Sequence, residues 1–297
     1  MARAFALLAL ALLTLTPAKA GIADFDEPVD VALVGYSDHA MEPFLSRDGK
    51  WMFFNNRNRP GDQTDLHVAS RINATRFLYR GPLEAANSLE LDGVPSVDIH
   101  GNFYFISPRS YDESKNTLWT GRLTQEGLGE VRPLMGNIPR REALWFNIDA
   151  EISADGSSLY VVESRRRLFG GGIRSANILV AERANDGSFQ RPDNWGDLFA
   201  AINTSALEFA PATTRDELIL YFTRADTKAL RSGDPNGFGI FVATRPSQTA
   251  PFGTPQRIQS IAGYVEAPTV SPDECAIYFH KEIDGLFRLQ MAKRQEC

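Results

Sequence analysis

The sequence predicts an all-β protein, a five-bladed β-propeller, and a repeated phrase is the main reason. Five copies of the phrase align on Pro43, Pro95, Ala150, Pro211 and Pro268, with a spacing of roughly 50 to 60 residues, typical of propellers and solenoids. Each copy turns at an Asp-Gly-like step and then runs into an apolar, aromatic strand. Further strand patterns follow each copy, so we predict blades of four antiparallel strands, named a to d along the chain.

The segments after each phrase are predicted to be strands, because their patterns are those of half-buried strands rich in β-branched and aromatic residues. Strands a and b form the phrase itself. The predicted c strands are Asp65–Arg71, Thr117–Leu123, Asn177–Arg183, Gly239–Arg245 and Leu286–Arg294. The predicted d strands are Phe77–Leu83, Val131–Leu134, Asp197–Ile202 and Gln256–Ile261. Trp195–Ala201 is also compatible with one helical turn, but the repeat favours strand d there.

The last blade lacks its own strand d, because the chain ends soon after strand c. The segment Pro28–Pro43 has the pattern of strand d and the loop that precedes strand a in the later units. We therefore expect the N-terminal strand to complete the fifth blade and to close the ring. Closure also removes an exposed sheet edge that would favour aggregation.

Residues 1–20 have the pattern of a cleavable signal peptide: Arg3, an apolar run from Phe5 to Leu15, and the ending Ala18-Lys19-Ala20. We expect a periplasmic or secreted protein with one propeller domain, residues 21–297, as a monomer and without membrane insertion. Without this segment, 29 basic and 37 acidic side chains remain, a net charge of −8. Such a charge gives no electrostatic reason to expect a nucleic-acid partner.

The repeat resembles the TolB-type, WD-like β-propeller repeat of bacterial envelope proteins. The shared features are the turn Pro43-x-x-Ser46-x-Asp48-Gly49, the aromatic pairs of strand b and the V-A-x-R pattern of strand c. The resemblance covers nearly all of the mature chain and implies the fold more than an activity. The second and fourth units depart from it, with His100-Gly101 and Asp216-Glu217 at the turn, where glycine would accept a positive φ at least cost.

The two cysteines, Cys275 and Cys297, are predicted to form a disulfide, since an exported pair usually does. Cys275 would begin one strand and Cys297 would follow its antiparallel neighbour. The bond would tie the C-terminus to the last blade. Two free thiols are the alternative.

Candidate ligand residues lie in the d–a loops, which surround the channel of a propeller. Every unit has an acid there, and every unit has a base just after strand b, which favours a polar ligand site on one face. The acids are Glu42, Asp92, Asp149, Glu208 and Glu266, and the bases are Arg57, Arg109, Arg165, Arg224 and Lys281. The alternative is that each acid pairs with the base of its own blade and serves the scaffold.

Two b–c loops have basic residues that no other blade shares, and unique residues are better functional candidates than repeated ones. The loop Ser164–Asn177 contributes Arg165, Arg166, Arg167 and Arg174, and a second begins at Arg224. Together with His39 of the first d–a loop, these arginines are expected to bind a carboxylate, a phosphate or a sugar acid. Solvated loop charge is the alternative.

We predict no metal site and no cofactor, because the four histidines are scattered without a ligand spacing. Two short segments, around Asp62 and Asp234, resemble fragments of a calcium loop, so a structural calcium ion is kept as an alternative.

Two functions are compatible with these observations. The main expectation is a non-catalytic scaffold that binds a protein partner or an envelope glycan through its channel-mouth face. The alternative is a carbohydrate-active hydrolase or lyase, for which Asp92, Asp149 and Glu208 would supply the channel carboxylates. Counted back from the aligned Pro or Ala, Asp149 lies one residue away while Asp92 and Glu208 lie three away, so their orientations are expected to differ.

Overall fold

In a computed structural model, the protein is described over residues 21–59, 61–138, 142–167, 172–232, 234–295 and 297. The predicted signal peptide, residues 1–20, lies outside the described residues. Among the described residues, no helix combines the length and the apolar character needed to span a bilayer.

Over the described residues, twenty of twenty-two strands form five antiparallel blades, while β2 (Ala32–Val34) and β11 (Gly136–Asn137) pair in parallel with their edges. Strand β1 (Val29–Asp30) and β2 precede the first blade. Blade 1 contains β3 (Met41–Leu45), β4 (Trp51–Asn55), β5 (Leu66–Asn73) and β6 (Arg76–Pro82). Blade 2 contains β7 (Gly93–Val97), β8 (Asn102–Ile106), β9 (Leu118–Thr124) and β10 (Gly127–Pro133). Blade 3 contains β12 (Trp145–Ile152), β13 (Ser158–Arg166), β14 (Ile173–Arg183) and β15 (Phe189–Gln190), preceded by β11 (Gly136–Asn137). Blade 4 contains β16 (Leu207–Thr213), β17 (Ile219–Ala225), β18 (Phe238–Thr244) and β19 (Gln256–Arg257).

Blade 5 confirms the predicted closure of the ring. It contains β20 (Val265–Val270), β21 (Ala276–Ile283) and β22 (Leu286–Lys293), and β1 from the N-terminus pairs with β22 as its fourth strand. Strand β2 then leaves this blade and pairs in parallel with β6 of blade 1. The N-terminal segment therefore joins the last blade to the first.

Short helices occupy loops between strands: α1 (Tyr111–Ser114), α2 (Trp195–Leu198) and α3 (Thr227–Ser232), with a 3-10 turn at Pro235–Gly237. The prediction of a strand d at Asp197–Ile202 was wrong, because α2 covers the start of this segment. Strand d of blade 3 is the earlier β15. The apolar side chains of Leu198, Phe199 and Ile202 are buried against the blade without a strand, which explains the misleading pattern.

The core consists of five main apolar clusters, and each fills the space between two neighbouring blades. The aromatic residues of strand b supply much of it, with Phe54, Phe105 and Phe222 fully buried. Burial on both faces of the blades explains why strand b is an almost continuous apolar run. The closed ring of contacts fixes the positions of the a strands around the channel.

Arginine–tyrosine bonds between blades explain the V-A-x-R pattern of strand c. Arg245 at the end of strand c in blade 4 donates to the Tyr160 hydroxyl of blade 3, at 2.8 Å. Arg183 of blade 3 bonds the Tyr104 hydroxyl of blade 2 in the same way. The repeated arginine thus joins each of these blades to the preceding one.

The a–b turns keep a left-handed residue even where glycine is missing. Gly49, Gly101 and Gly156 have φ angles of 70°, 82° and 79°, and Glu217 and Glu274 take this conformation with φ of 59°. The departures from Asp-Gly therefore change the residue and not the geometry of the turn.

The structure joins Cys275 and Cys297 in a disulfide, with their Cα atoms 5.5 Å apart. The bond holds the end of the chain against the a–b turn of blade 5.

Candidate functional site

A β-bulge at the start of strand a decides which side chains reach the channel. The residue just before the aligned proline has a positive φ in four blades: Glu42 (49°), Val94 (56°), Ala210 (49°) and Ala267 (57°). The pairing register of strands a and b shifts at this point in every blade. Non-glycine residues rarely adopt this conformation, and bulges often redirect a side chain near a functional site.

The neighbouring blade holds each of these bulges by a hydrogen bond. The amide of Val94 donates to Asn55 Oδ1 and the amide of Ala267 donates to Thr223 Oγ1, both at 3.0 Å. The amide of Glu42 donates to His280 Nδ1 at 3.1 Å. Asn55, Thr223 and His280 occupy the same position of strand b in their blades. These bonds offset part of the strain of the bulge and hold the channel wall in one conformation.

Two of the five d–a acids pair with an arginine of their own blade. Asp92 is fully buried, forms an ion pair with Arg109 and accepts hydrogen bonds from the backbone amide and hydroxyl of Ser88. Glu208 is also fully buried and pairs with Arg224 at 2.9 Å. In blades 2 and 4 the acid therefore stabilises its own loop.

The other three acids converge at the channel, together with His280. One oxygen of Glu42, one of Glu266 and one ring nitrogen of His280 lie within 4.8 Å of one another. Asp149 accepts the amide of Ala210 at 3.1 Å and interacts electrostatically with both glutamates. The structure thus brings Glu42, Asp149 and Glu266 together, and it does not bring Asp92 or Glu208 to them.

His280 is fixed in one tautomer by its two hydrogen bonds. Its Nδ1 accepts the amide of Glu42, so the neutral ring carries its proton on Nε2. The Nε2–H therefore donates to Glu266 Oε2 at 3.2 Å. Burial lowers the pKa of His280, although the charge of Glu42 opposes this change.

The carboxyl groups of this cluster have pKa values near neutrality. Burial raises the pKa of Glu42 to about 8, the His280 ring opposes this rise, and Asp149 and Glu266 add to it. Burial also raises the pKa of Glu266 to about 8, while a hydrogen bond with the Tyr264 side chain lowers it. The pKa of Asp149 rises to about 7, mainly through burial and against the effect of the Ala210 amide. Close carboxylates titrate together, so this group shares protons at neutral pH.

The described channel cavity beside the acids has the size of a water site. It measures about 30 Å³ and is lined by Glu42 and Asp149 together with the prolines of the bulges, among them Pro43 and Pro211. Such a volume accommodates one or two water molecules and no sugar ring. Glu151 of blade 3 also lines this cavity, and Arg47 of blade 1 reaches across to it at 2.8 Å.

The remaining candidates surround the mouth. His39 is half-buried and accepts the amide of Phe287 on Nδ1 at 3.1 Å. Arg224 packs on Phe241 as well as pairing with Glu208, so it belongs to the wall of blade 4. In the basic loop of blade 3, Arg165 and Arg167 are half-buried, and Arg166 and Arg174 are exposed. Residues 168–171 of that loop lie outside the described residues.

The cluster of Glu42, Glu266 and His280 is the one group of described side chains with a geometry that could hold a metal ion. Each ring nitrogen of His280 already has a protein partner, so a metal would have to displace the Nε2 proton. The prediction from the sequence missed His280 because it considered only the spacing between the histidines. An alignment of the b strands of the five blades would have placed His280 beside Glu266.

Comparisons with known proteins support the fold. No protein-family model matches the sequence, and no curated protein matches it significantly. The catalytic domain of the Coprinopsis cinerea GH62 alpha-L-arabinofuranosidase is similar in structure, with 12% identity, 92% of this chain and 98% of that chain covered, and a TM-score of 0.55. The endo-arabinase of Bacteroides thetaiotaomicron is similar at 16% identity, with 89% and 97% covered and a TM-score of 0.55. At such identities the likeness shows the fold, a five-bladed β-propeller.

TolB from Acinetobacter baumannii also matches, at 14% identity, with 87% of this chain and 55% of that chain covered. Its TM-score of 0.43 is too low to support an argument. The sequence resemblance to TolB-type repeats is therefore shown only at the level of the β-propeller.

The comparisons also correct the main functional prediction, a non-catalytic binding scaffold. The matching structures with TM-scores from 0.50 to 0.58 include an arabinase, a galactanase and several other named glycosidases. These matches favour the catalytic alternative over the scaffold.

Proposed function

We propose that this protein is a carbohydrate-active hydrolase whose reacting groups are Glu42 and Asp149, with Glu266 as the acid beside them. The observation that carries the proposal is the convergence of three buried carboxyl groups, with pKa values of about 7 to 8, at the channel mouth. Glycoside hydrolysis needs one protonated and one ionised carboxyl group at neutral pH, and pKa values in this range provide both.

The roles follow from the environment of each group. Glu42 has a pKa of about 8 and keeps its proton at neutral pH, so it serves as the general acid toward the leaving oxygen. Asp149 has the lower pKa, about 7, and acts in its ionised form as base or nucleophile. Glu266, held by His280 and Tyr264, positions Glu42 and raises its pKa.

The size of the cavity sets where substrate and water would lie. A sugar ring does not fit into about 30 Å³, so the scissile bond must lie at the rim, above Glu42 and Asp149. The cavity below has room for the attacking water. Tyr264 is half-buried at this rim and stacks on Phe238, with 4.0 Å between the ring centroids, so it can contact a sugar.

Substrate and location remain proposals. The names of the similar structures point to arabinose-containing glycans as the first substrates to test. The signal-peptide pattern of residues 1–20 supports an exported enzyme acting in the periplasm or outside the cell. The repeat phrase supports a TolB-type origin of the propeller.

The experiment is the release of reducing sugar from arabinan and arabinoxylan by the chain that begins at Gly21. We expect Glu42→Gln and Asp149→Asn each to lower kcat by a factor of about 100 or more, because each removes a proton-transfer group. Both variants should stay folded. Asp62→Asn, which changes a half-buried acid of blade 1 paired with Arg57, is the matched control.

Two results would overturn the proposal. One is an absence of sugar release from every glycan offered by a folded wild-type protein. The other is full activity in Asp149→Asn, which would mean that the channel acids are not the reacting groups.

A further inference from the structure

Strand a of blade 3 lacks an anchor that strand a has in blades 1, 2 and 5. In those blades, a polar side chain from strand b of the preceding blade accepts the amide at the bulge. These side chains are His280, Asn55 and Thr223. In blade 2 the corresponding position is occupied by Ile106, opposite Gly93, and an isoleucine side chain cannot accept a hydrogen bond. Asp149, at the bulge of blade 3, is therefore not held in this way.

The bulge of blade 4 relies on Asp149 in turn. Strand b of blade 3 has Val162 at the corresponding position, so it also offers no acceptor. The amide of Ala210, at the bulge of blade 4, donates instead to Asp149 Oδ2 at 3.1 Å. A contact that fixes β12 thus fixes both the carboxylate of Asp149 and the next strand around the ring.

Glu151, two residues further along β12, is bonded to three other blades. Its Oε1 accepts a hydrogen bond from Arg47 Nη2 of blade 1 at 2.8 Å, and its Oε2 accepts one from Ser96 Oγ of blade 2 at 3.1 Å. The backbone amide of Thr213 in blade 4 donates to the same carboxylate. Alternate residues of a strand share a face, so Glu151 anchors β12 on the face that carries Asp149.

Arg47 supplies the charged part of this anchor. It also donates to the carbonyl of Ile152, so it holds a side chain and the backbone of β12 together. The side chains of Arg47 and Glu151 are only 12% and 7% exposed, so solvent screens their attraction little. Burial raises the pKa of Glu151, and the Arg47 guanidinium opposes this rise. Loss of the arginine would leave β12 without its tie across the channel.

The same pair forms the floor of the cavity beside the acids. Glu151 lines that cavity together with Glu42 and Asp149, while Arg47 lines a second cavity of about 20 Å³. The ion pair therefore lies between the two cavities. In the proposed mechanism it closes the space that holds the attacking water on the side away from the mouth.

We propose that Arg47 is a positioning residue for the hydrolysis: through Glu151 and the Ile152 carbonyl, it fixes the strand that carries Asp149. The inference rests on the proposed function for its effect on catalysis. It follows from the one blade whose strand a lacks the anchor of its neighbour, and Arg47 replaces that anchor from across the channel. Arg215 occupies the same position in the a–b turn of blade 4, where it is exposed, so it is a matched control.

The first test is the kinetics of Arg47→Met on arabinan and arabinoxylan. We expect kcat to fall by about tenfold to 100-fold with KM within about twofold, because a displaced carboxylate impairs the chemical step and leaves the sugar-binding rim intact. Arg215→Met should keep the wild-type values. Guanidinium ion, added to Arg47→Ala at concentrations that do not unfold it, should recover part of kcat, because it replaces the missing group.

A double variant keeps the test independent of a folding defect. Arg47→Met alone leaves Glu151 buried without its counter-charge, which can destabilise the fold by itself. Arg47→Met combined with Glu151→Gln removes both charges. This protein should fold and should show the same fall in kcat, because the tie across the channel is still missing.

The second test does not depend on catalysis: it is hydrogen exchange of backbone amides, followed by NMR. The amide of Ala210 donates to Asp149, so its exchange rate reports whether that carboxylate is held. We expect this exchange to be about tenfold faster or more in Arg47→Met, because local opening costs less free energy. The amide of Ala267, which donates to Thr223 away from β12, should exchange at its wild-type rate.

Wild-type kcat in Arg47→Met, or a loss of activity that appears only as a higher KM, would overturn the inference. Equal acceleration of exchange at Ala210 and Ala267 would also overturn it, because it would show a general loss of stability. Faster exchange at Ala210 alone, with no hydrolysis of any glycan by wild type, would refute the proposed function and leave Arg47 as the residue that holds Asp149. Equal hydrolysis by wild type and by Arg47→Met would do the reverse.

Discussion

The acids of the d–a loops form two groups that behave differently. In blades 2 and 4, Asp92 and Glu208 are fully buried and each faces an arginine of its own blade. In blades 1, 3 and 5, Glu42, Asp149 and Glu266 are almost as buried and face one another. The acids of the first group stabilise the folded state through their ion pairs. Those of the second have pKa values raised by burial and by one another, as acids in active sites often do.

The physical cause of the difference is the bulge of strand a. Glu42 lies at the bulge itself and Asp149 at the equivalent position, so both line the channel. Asp92 and Glu208 lie two residues earlier, Asp92 just before β7 and Glu208 at the start of β16, within reach of the arginine after strand b. Similar residues therefore support the scaffold in one place and are available for chemistry in the other.

The largest expected effect on stability comes from replacing a buried acid that is paired with an arginine. Glu208→Gln removes the negative charge that compensates Arg224, so the variant should lose about 3 kcal/mol of unfolding free energy. Urea denaturation at pH 7, followed by tryptophan fluorescence, measures this loss. Asp92→Asn should behave in the same way.

A double variant tests the reason for that loss. Glu208→Gln combined with Arg224→Met removes both charges and should recover part of the stability, because no uncompensated charge remains. A Glu208→Gln protein as stable as wild type would remove the distinction between the two groups.

The second expected effect is a gain in stability, opposite in sign to the loss expected for Glu208→Gln. The pKa of Glu42 is raised from 4.5 to about 8 by folding, so the folded state binds more protons than the unfolded state between these pH values. Stability should therefore fall as the pH rises from about 4.5 to 8. Glu42→Gln removes this loss and should be more stable than wild type by ~2 kcal/mol at pH 9, less than the full linkage value because the neighbouring carboxyl groups share the titration.

Denaturation of wild type and Glu42→Gln from pH 4 to pH 9 measures the gap between their free energies of unfolding. The gap should be close to zero at pH 4 and should widen with rising pH. A gap that is constant over this range, or a less stable Glu42→Gln protein at pH 9, would show that Glu42 is a scaffold residue like Glu208.

The smallest effect belongs to an ion pair at the rim of a surface loop. Arg57 of blade 1 pairs with Asp62 at 2.7 Å, and both side chains are half-buried, so solvent still screens the pair and its contribution is small. Asp62→Asn should lower the melting temperature by far less than Glu208→Gln does. A decrease as large as that of Glu208→Gln would mean that loop charge in this protein matters without full burial, and would weaken the comparison.

Much of the architecture was predictable because it repeats. The aligned phrase predicts five blades and the pattern of Pro28–Pro43 predicts the closing strand, since each blade must bury both faces against its neighbours. The segment Asp197–Ile202 was misassigned because a buried helical turn and a short buried strand share an apolar pattern. The unequal spacing of Asp149, Asp92 and Glu208 from the repeat anchor was visible in the sequence, and it pointed to different orientations.

The composition of the site depended on the closed ring. Glu42 and His280 are separated by 238 positions in the chain and meet only because blade 5 lies against blade 1. The pKa of Glu42 depends on burial and on neighbours from blades 3 and 5, which no local pattern contains. The sequence by itself determined the repeat, the blades and the kinds of charge at the mouth. Only the tertiary structure decided which charges were compensated, because compensation depends on distances of a few ångströms between blades.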